Sequence, residues 1–501
     1  MKYTLALLWV IIITGIVFIT TTLVGPGAIN DDKTPNLPPL EKGDIVETQF
    51  VESSQSTPET YSENIEEGNN SFNNGDFNSA AKYYAAAVKI DSNSSEALTK
   101  LGNAYLKNNE AKNAETTFNM AKQLSPNSIE IKIGLIRSYL SARNIEAAKN
   151  FIWNLSTEEE QNDPHIKYYK GIILILHKDF ETARQIFHEI VTAGTSEEEE
   201  LINVIPDKLI TYSQNFLDDY AIFDTYKEGD ILYLEAMLAK TLTDVHEFEA
   251  SIPLLYEVLN AKNNYRDAWL ILGYAYLNTG KSLDAIDALT NAKEQEPEKP
   301  ETLFYLGLAY FANDEIDKAI FYLEQAEKYG YEPKEQVSLK LGDLYSIKNR
   351  NNDAVKKYEE VITLNKTNIN VYIKTIYIYI DILDKPHRAL AIAEEVFELY
   401  PEEAMSNNLM GWALAANSKF EEAKKYLGMA IQLNPDFDAA YLNTGWLYEK
   451  QGIETLAKEY YLKAYNLGGN NSIANKAATR FNAITDKELQ ENYYQVNITS
   501  P

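Results

Sequence analysis

The chain has 501 residues, with 74 Asp and Glu against 46 Lys and Arg, a formal net charge of −28, and no cysteine. So acidic a surface repels phosphate backbones and argues against general nucleic-acid binding. The missing cysteine removes disulfide scaffolds, thiolate zinc sites, cysteine nucleophiles and acylation of a cysteine, and makes the fold indifferent to the redox state of its compartment.

The first predicted element is an uncharged run from Tyr3 to Val24, YTLALLWVIIITGIVFITTTLV. As a helix it spans about 33 Å, close to the roughly 30 Å hydrocarbon core of a bilayer. Lys2 precedes it, and the acidic residues Asp31, Asp32, Glu41, Asp44, Glu47 and Glu52 outnumber Lys33 and Lys42 after it. The few basic residues favour a single pass with the amino terminus in the cytoplasm and the bulk on the far side. The alternative for residues 1–25 is a cleaved signal peptide, with a secreted or periplasmic product. Against it stand the length of the apolar run and Pro26, which hinders cleavage within VGPGA. Residues 26–60 carry Pro26, Pro35, Pro38, Pro39 and Pro58 among acidic and small polar residues, so a disordered linker is expected there.

Periodicity takes over at about Tyr61. In the segment from Arg266 to Pro300, Trp269, Leu272, Gly273 and Tyr276 share one face of a predicted helix, and Gly280 ends it. Ala285, Leu289 and Ala292 form the inner face of a second helix that Pro297 helps to stop. The second-helix alanine recurs as Ala80, Ala114, Ala148, Ala183, Ala250, Ala285, Ala319, Ala354, Ala389, Ala423 and Ala457. A first-helix glycine recurs as Gly68, Gly102, Gly171, Gly273, Gly307, Gly342, Gly411 and Gly445, with Ile136, Ala236 and Ile376 at three of the intervening positions. Small residues at these places admit the bulky side chains of a closely packed antiparallel partner.

This pattern resembles the tetratricopeptide repeat almost position for position. The resemblance implies an all-α, right-handed solenoid of about 11–12 helical hairpins. Repeats 1–4 are expected over 61–193 and repeats 5–11 over 229–469. Between them 194–228 lacks the signature and reads as a degenerate repeat or a helical insert, with Pro206 interrupting a first helix and Glu197 to Glu200 forming either a solvated helix start or a contact for a basic partner. A capping helix is expected over 470–485, built on Ile473, Ala477, Phe481 and Ile484, and a frayed tail over 486–501.

The resemblance also implies that partners run along the groove lined by the first helices. The groove positions are Leu270, Tyr274, Phe304, Leu308, Ile373, Tyr377, Asn408, Trp412, Leu442 and Trp446. These are apolar and aromatic, suited to anchoring a peptide or a helical segment of another protein. The opposing reading is that they pack between neighbouring first helices. A carboxylate clamp of the kind that grips chaperone termini is not supported, because its positions hold Ile65, Asn69, Lys100, Glu130 and Gly134, and only Asn69 fits.

The five histidines, His165, His177, His188, His246 and His387, show no metal-ligand spacing such as HExxH. No phosphate loop, nucleophile elbow or dinucleotide fingerprint is present, so neither catalysis nor a cofactor is expected. The expected function is a membrane-anchored scaffold or adaptor that assembles envelope or secretion machinery. Two alternatives are a periplasmic holdase chaperone and a non-catalytic helper subunit of a membrane enzyme or polysaccharide-export complex.

Overall fold

A computed structural model describes residues 60–195, 205–225, 230–469 and 471–498, with side chains as far as residue 486. The expected anchor, nearly all of the linker, the run Glu197 to Glu200 and the side chains of the tail lie outside the described residues. Every regular element among those residues is helical, and none of these helices is long and apolar enough to cross a membrane.

The chain divides into two compact units that meet at residues 331 and 332. In the first, hairpins form from α1 (Tyr61–Asn73) and α2 (Phe77–Ile90), α3 (Ser95–Lys107) and α4 (Ala111–Leu124), and α5 (Ile129–Ser141) and α6 (Ile145–Trp153). A single turn, α7 (Glu158–Asn162), precedes the hairpin of α8 (Pro164–Leu176) and α9 (Phe180–Thr195). One helix then stands alone, α10 (Asp207–Thr225). Pairing resumes with α11 (Ile231–Asp244) and α12 (Phe248–Ala261), α13 (Arg266–Asn278) and α14 (Ser282–Gln295), and α15 (Pro300–Ala312) and α16 (Ile316–Lys328). The second unit pairs α17 (Lys334–Ile347) with α18 (Asn351–Leu364), and α19 (Ile369–Tyr377) with α20 (Pro386–Leu399). It continues with α21 (Ala404–Ala416) and α22 (Phe420–Leu433), then α23 (Asp438–Lys450) and α24 (Glu454–Gly468), and is closed by α25 (Ser472–Ile498). The backbone of α25 thus continues past residue 485.

The alanine ladder is the seam of each hairpin, and all eleven alanines are at most 1% exposed. Opposite them, the first-helix glycines make room for a ring or a leucine one turn along the second helix. A Cβ on Gly102 would lie 2.7 Å from Phe118, and one on Gly445 2.6 Å from Tyr461. Contacts that short are sterically forbidden, so at these points the hairpin closes around glycine. Bulk can also sit on the other helix. Where Ile376 replaces the glycine, the second-helix position four after Ala389 is Ala393, and both are fully buried. The first helix of that hairpin leaves the α-helical register in a π-helical turn, Ile378–Ile382.

Each hairpin turns on one residue in the left-handed region. Glycine fills it at Gly75, Gly280 and Gly452, but the same role falls to Asn109, Arg143, Lys178, His246, Asp314, Asn349, Asp384 and Ser418. Asn and Asp tolerate that conformation because their short side chains hydrogen-bond locally.

Around α10 the alternation of first and second helices lapses. It packs on α9 through the stacked rings of Phe187 and Phe216, 4.5 Å apart, and then directly on α11. Beyond it, α12 comes back against α5 and α8, so the first unit makes contacts across its own inner face.

Candidate functional site

The register of the repeat places the groove residues three before and one after the seam glycine of each first helix. In the first unit Leu270, Tyr274 and Leu308 are half-buried, whereas Phe304 is 4% exposed and stacks on Tyr331 with ring centroids 4.0 Å apart. These side chains belong to an aromatic series. Phe248 meets Tyr274 at 5.9 Å, Tyr274 meets Tyr305 at 5.1 Å, and Tyr305 meets Phe304 at 5.5 Å. Such edge-to-face and tilted contacts are favourable beyond area burial and hold the rings in fixed positions.

In the second unit Ile373 is half-buried and Tyr377 is 42% exposed, its ring 5.1 Å from the Lys476 ammonium. Asn408, Trp412, Leu442 and Trp446 are all buried, between 2% and 8% exposed. The Asn443 amide donates to Asn408 Oδ1 at 2.9 Å, which ties α23 to α21. Lys450 lies over the Trp446 ring at 5.1 Å. Asn69 is already engaged, because its Oδ1 accepts from the Tyr84 hydroxyl at 2.9 Å and from the Lys100 ammonium at 3.3 Å.

A second set of residues escaped the sequence reading. On the inner face of the first unit, the Tyr169 hydroxyl donates to Glu247 Oε1 at 3.1 Å. Arg143 donates to the Tyr276 hydroxyl at 3.3 Å, and Asn109 lies so close to Gly280 that a Cβ there would be 2.5 Å from its Nδ2. These contacts join residues 78 and 133 positions apart in the first two cases and farther still in the third, which no local periodicity encodes. The one available signal is that Arg137 directly follows Ile136, and so holds the same register as Tyr274.

Burial pushes the Glu247 carboxyl up to about 7, although Arg137 pulls in the other direction. Tyr169 is driven well above the usual phenol range by burial and then by Glu247. For Arg137, burial lowers the pKa, but Tyr169, Glu247 and Glu249 together outweigh it and the guanidinium is held above its ordinary value. Beside Arg137 opens a cleft of about 510 Å³ between α3, α5 and the start of α8, lined by Asn103, Ile129, Glu130, Ile133, Asp163 and His165 among others. His165 Nδ1 is 3.5 Å from Asp163. Among the described residues no three acidic or histidine side chains come together as a metal site.

The tetratricopeptide-repeat family is matched over residues 65–129, 272–333 and 408–472. The peroxisomal targeting signal receptor of Candida albicans is 26% identical over 278 residues, 51% of this chain and 43% of the receptor. A tetratricopeptide-repeat protein of Methanocaldococcus jannaschii is 23% identical over 309 residues, 49% of this chain and 54% of its own length. The chain therefore spans about half the length of these curated relatives. Among solved structures, the C-terminal part of a tetratricopeptide-repeat protein from Cytophaga hutchinsonii aligns over 48% of this chain and 98% of its own, at 15% identity and a TM-score of 0.40.

Proposed function

We propose that this tetratricopeptide-repeat chain is a non-catalytic scaffold, tethered at a membrane through residues 1–25 with its repeats on the extracytoplasmic side. It holds segments of other proteins along its first-helix faces while envelope or secretion machinery assembles. The observation that carries the reading is the aromatic series of the first unit. Phe248, Tyr274 and Tyr305 are fixed by ring contacts yet keep part of their surface open to solvent. Rigid, partly exposed aromatic side chains are typical anchors for a protein partner, because little side-chain entropy is lost when they are covered. The membrane tether rests on the uncharged run Tyr3 to Val24 alone.

The test places a photo-cross-linking side chain at Tyr274, Leu308 or Tyr377, with Phe321 on α16, 53% exposed, as the control position. A few stoichiometric partners captured at the first three positions and not at Phe321 support a scaffold. Many substoichiometric partners at those positions indicate a holdase instead. Equal capture at Phe321 overturns the groove as the binding face. Removal of residues 1–25 is expected to move the chain out of the membrane fraction, and retention there overturns the tether.

A further inference from the structure

In the second unit Lys374 meets Asp343 at 2.7 Å and Arg480 meets Glu449 at 3.1 Å, each 31 positions away and so one repeat along the chain. Lys476 reaches much farther. Its Nζ, in the second turn of α25, lies 2.6 Å from Asp381 Oδ2, 95 positions earlier. The same ammonium stands over the Tyr377 ring at 5.1 Å. Asp381 belongs to the π-helical turn Ile378–Ile382, which ends the first helix of its hairpin. Between α19 and α25 in the row of first helices come α21 and α23.

Helices packed side by side lie about 8–10 Å apart, so a straight row would hold α19 and α25 roughly 25–30 Å from each other. Contact between Lys476 and Asp381 therefore requires the row to curl until its ends meet over the inner face. The burial agrees with this. Asn408 and Trp412 of α21 and Leu442 and Trp446 of α23 are 2–8% exposed, whereas Leu270 and Tyr274, at the same register in α13, are half-buried. Yet the closed face is not built as a permanent core. Asn408 and Asn443 share one hydrogen bond, and the other half of each amide has no partner among the described residues. The indole N–H groups of Trp412 and Trp446 have none there either. A dry core satisfies nearly all such groups, so these four polar atoms suit a face that opens to water or to a peptide backbone.

The cap is seated by other contacts. Ala474, Ala477, Phe481 and Ile484 of α25 are buried, α25 packs on α24 and α23, and Arg480 pairs with Glu449 of α23. Lys476 takes part in none of these, so its ion pair can break with α25 still in place. The Lys476 side chain is 38% exposed and that of Asp381 18%, so solvent screens the pair and the closure is weak.

We propose that α25 carries an autoinhibitory clasp: Lys476, held by Asp381 and the Tyr377 ring, keeps the inner face of the second unit shut over Trp412 and Trp446, and its release opens that face to a partner segment while the hairpins stay folded. This adds regulation to the first-helix face assigned to partners above, and rests on that reading. A weak clasp suits the role, because a partner that binds only the open state has little closure to overcome.

The chain has no cysteine, so Leu442→Cys, on the closed face, and Leu427→Cys, in the seam against Gly411, each carry a single thiol. Maleimide labelling of the full chain then reads opening of the face at the first and unfolding of the hairpin at the second. In the Leu442→Cys chain, Lys476→Gln and Asp381→Asn are each expected to raise the labelling rate about fivefold or more. Combining Lys476→Asp with Asp381→Lys is expected to return the rate to within about twofold of the parent. Raising salt from about 50 to about 500 mM is expected to speed labelling of the parent and not of the Lys476→Gln variant. None of these changes should alter the Leu427→Cys rate. An unchanged Leu442→Cys rate overturns the clasp, and so does an equal rise at Leu427→Cys, which would mean lost folding. Failure of the reversed pair to restore slow labelling, or a salt response that survives Lys476→Gln, overturns it as well. Labelling needs no partner, so a failed search for one at Tyr274 counts against the scaffold and leaves this result intact.

Discussion

The same register positions on the first helices have opposite surroundings in α13 of the first unit and in α21 and α23 of the second, while Phe304 of α15 is buried and Tyr377 of α19 is exposed. In the first, Leu270, Tyr274 and Leu308 keep part of their surface in water, and the neighbouring inner face gathers charge around Arg137 and Glu247. In the second, Asn408, Trp412, Leu442 and Trp446 are buried, and α21 and α23 are joined by the Asn443 to Asn408 hydrogen bond. A repeat therefore dictates which face of a helix a residue occupies, but not whether that face stays open. Openness depends on how closely consecutive first helices approach, and so on the volumes and hydrogen bonds of the side chains between them.

The largest expected effects break the comparison if it is wrong. Trp412→Ser or Trp446→Ser is expected to cost about 3–5 kcal/mol in denaturant unfolding, as for removal of a large core side chain. Tyr274→Ser is expected to cost about 1 kcal/mol or less and to act mainly on partner capture. Equal, small losses at all three would mean that the second unit's face is as open as the first's.

Next comes the pH dependence, which should belong to the first unit alone. Glu247 faces Lys107 of α3, Arg137 of α5, Tyr168 and Tyr169 of α8, Lys208 of α10 and, on its own side, Glu249. Its carboxyl is raised from 4.5 to about 7. Stability from the neutral form is therefore fully present below about 4.5 and is lost as pH rises through about 7. The first unit is expected to lose about 2–3 kcal/mol between these limits. Glu247→Gln should flatten the profile, read by hydrogen exchange of α5, α8 and α12. An unchanged slope would show that another group is responsible.

Two smaller tests sharpen the contrast. Asn408→Ala leaves the amide of Asn443, a residue 8% exposed, without its partner, and is expected to cost about 1–3 kcal/mol in the second unit. Ser418 occupies the left-handed region at φ 61, so Ser418→Gly is expected to raise stability by about 0.5–1 kcal/mol, read as a higher melting temperature. A lower melting temperature would mean that the serine side chain stabilises its turn by more than the backbone strain costs.

The hairpins themselves were legible because their information is local. Ala80 through Ala457 and Gly68 through Gly445 each repeat within one turn of a helix facing its immediate neighbour, and a bulky side chain there has nowhere else to go. Gly280 announced its turn, whereas Arg143, Lys178, His246 and Ser418 take the same left-handed conformation without any residue-type signal. The stretch around Pro206 was visible as a break, but only the fold places α10 as a lone helix between α9 and α11. The partnership of Tyr169 with Glu247, of Arg143 with Tyr276 and of Asn109 with Gly280 is a property of tertiary structure alone. Small changes in packing angle accumulate over several hairpins before these residues meet. The sum of those angles, and not any one repeat, decides which distant side chains share a trough.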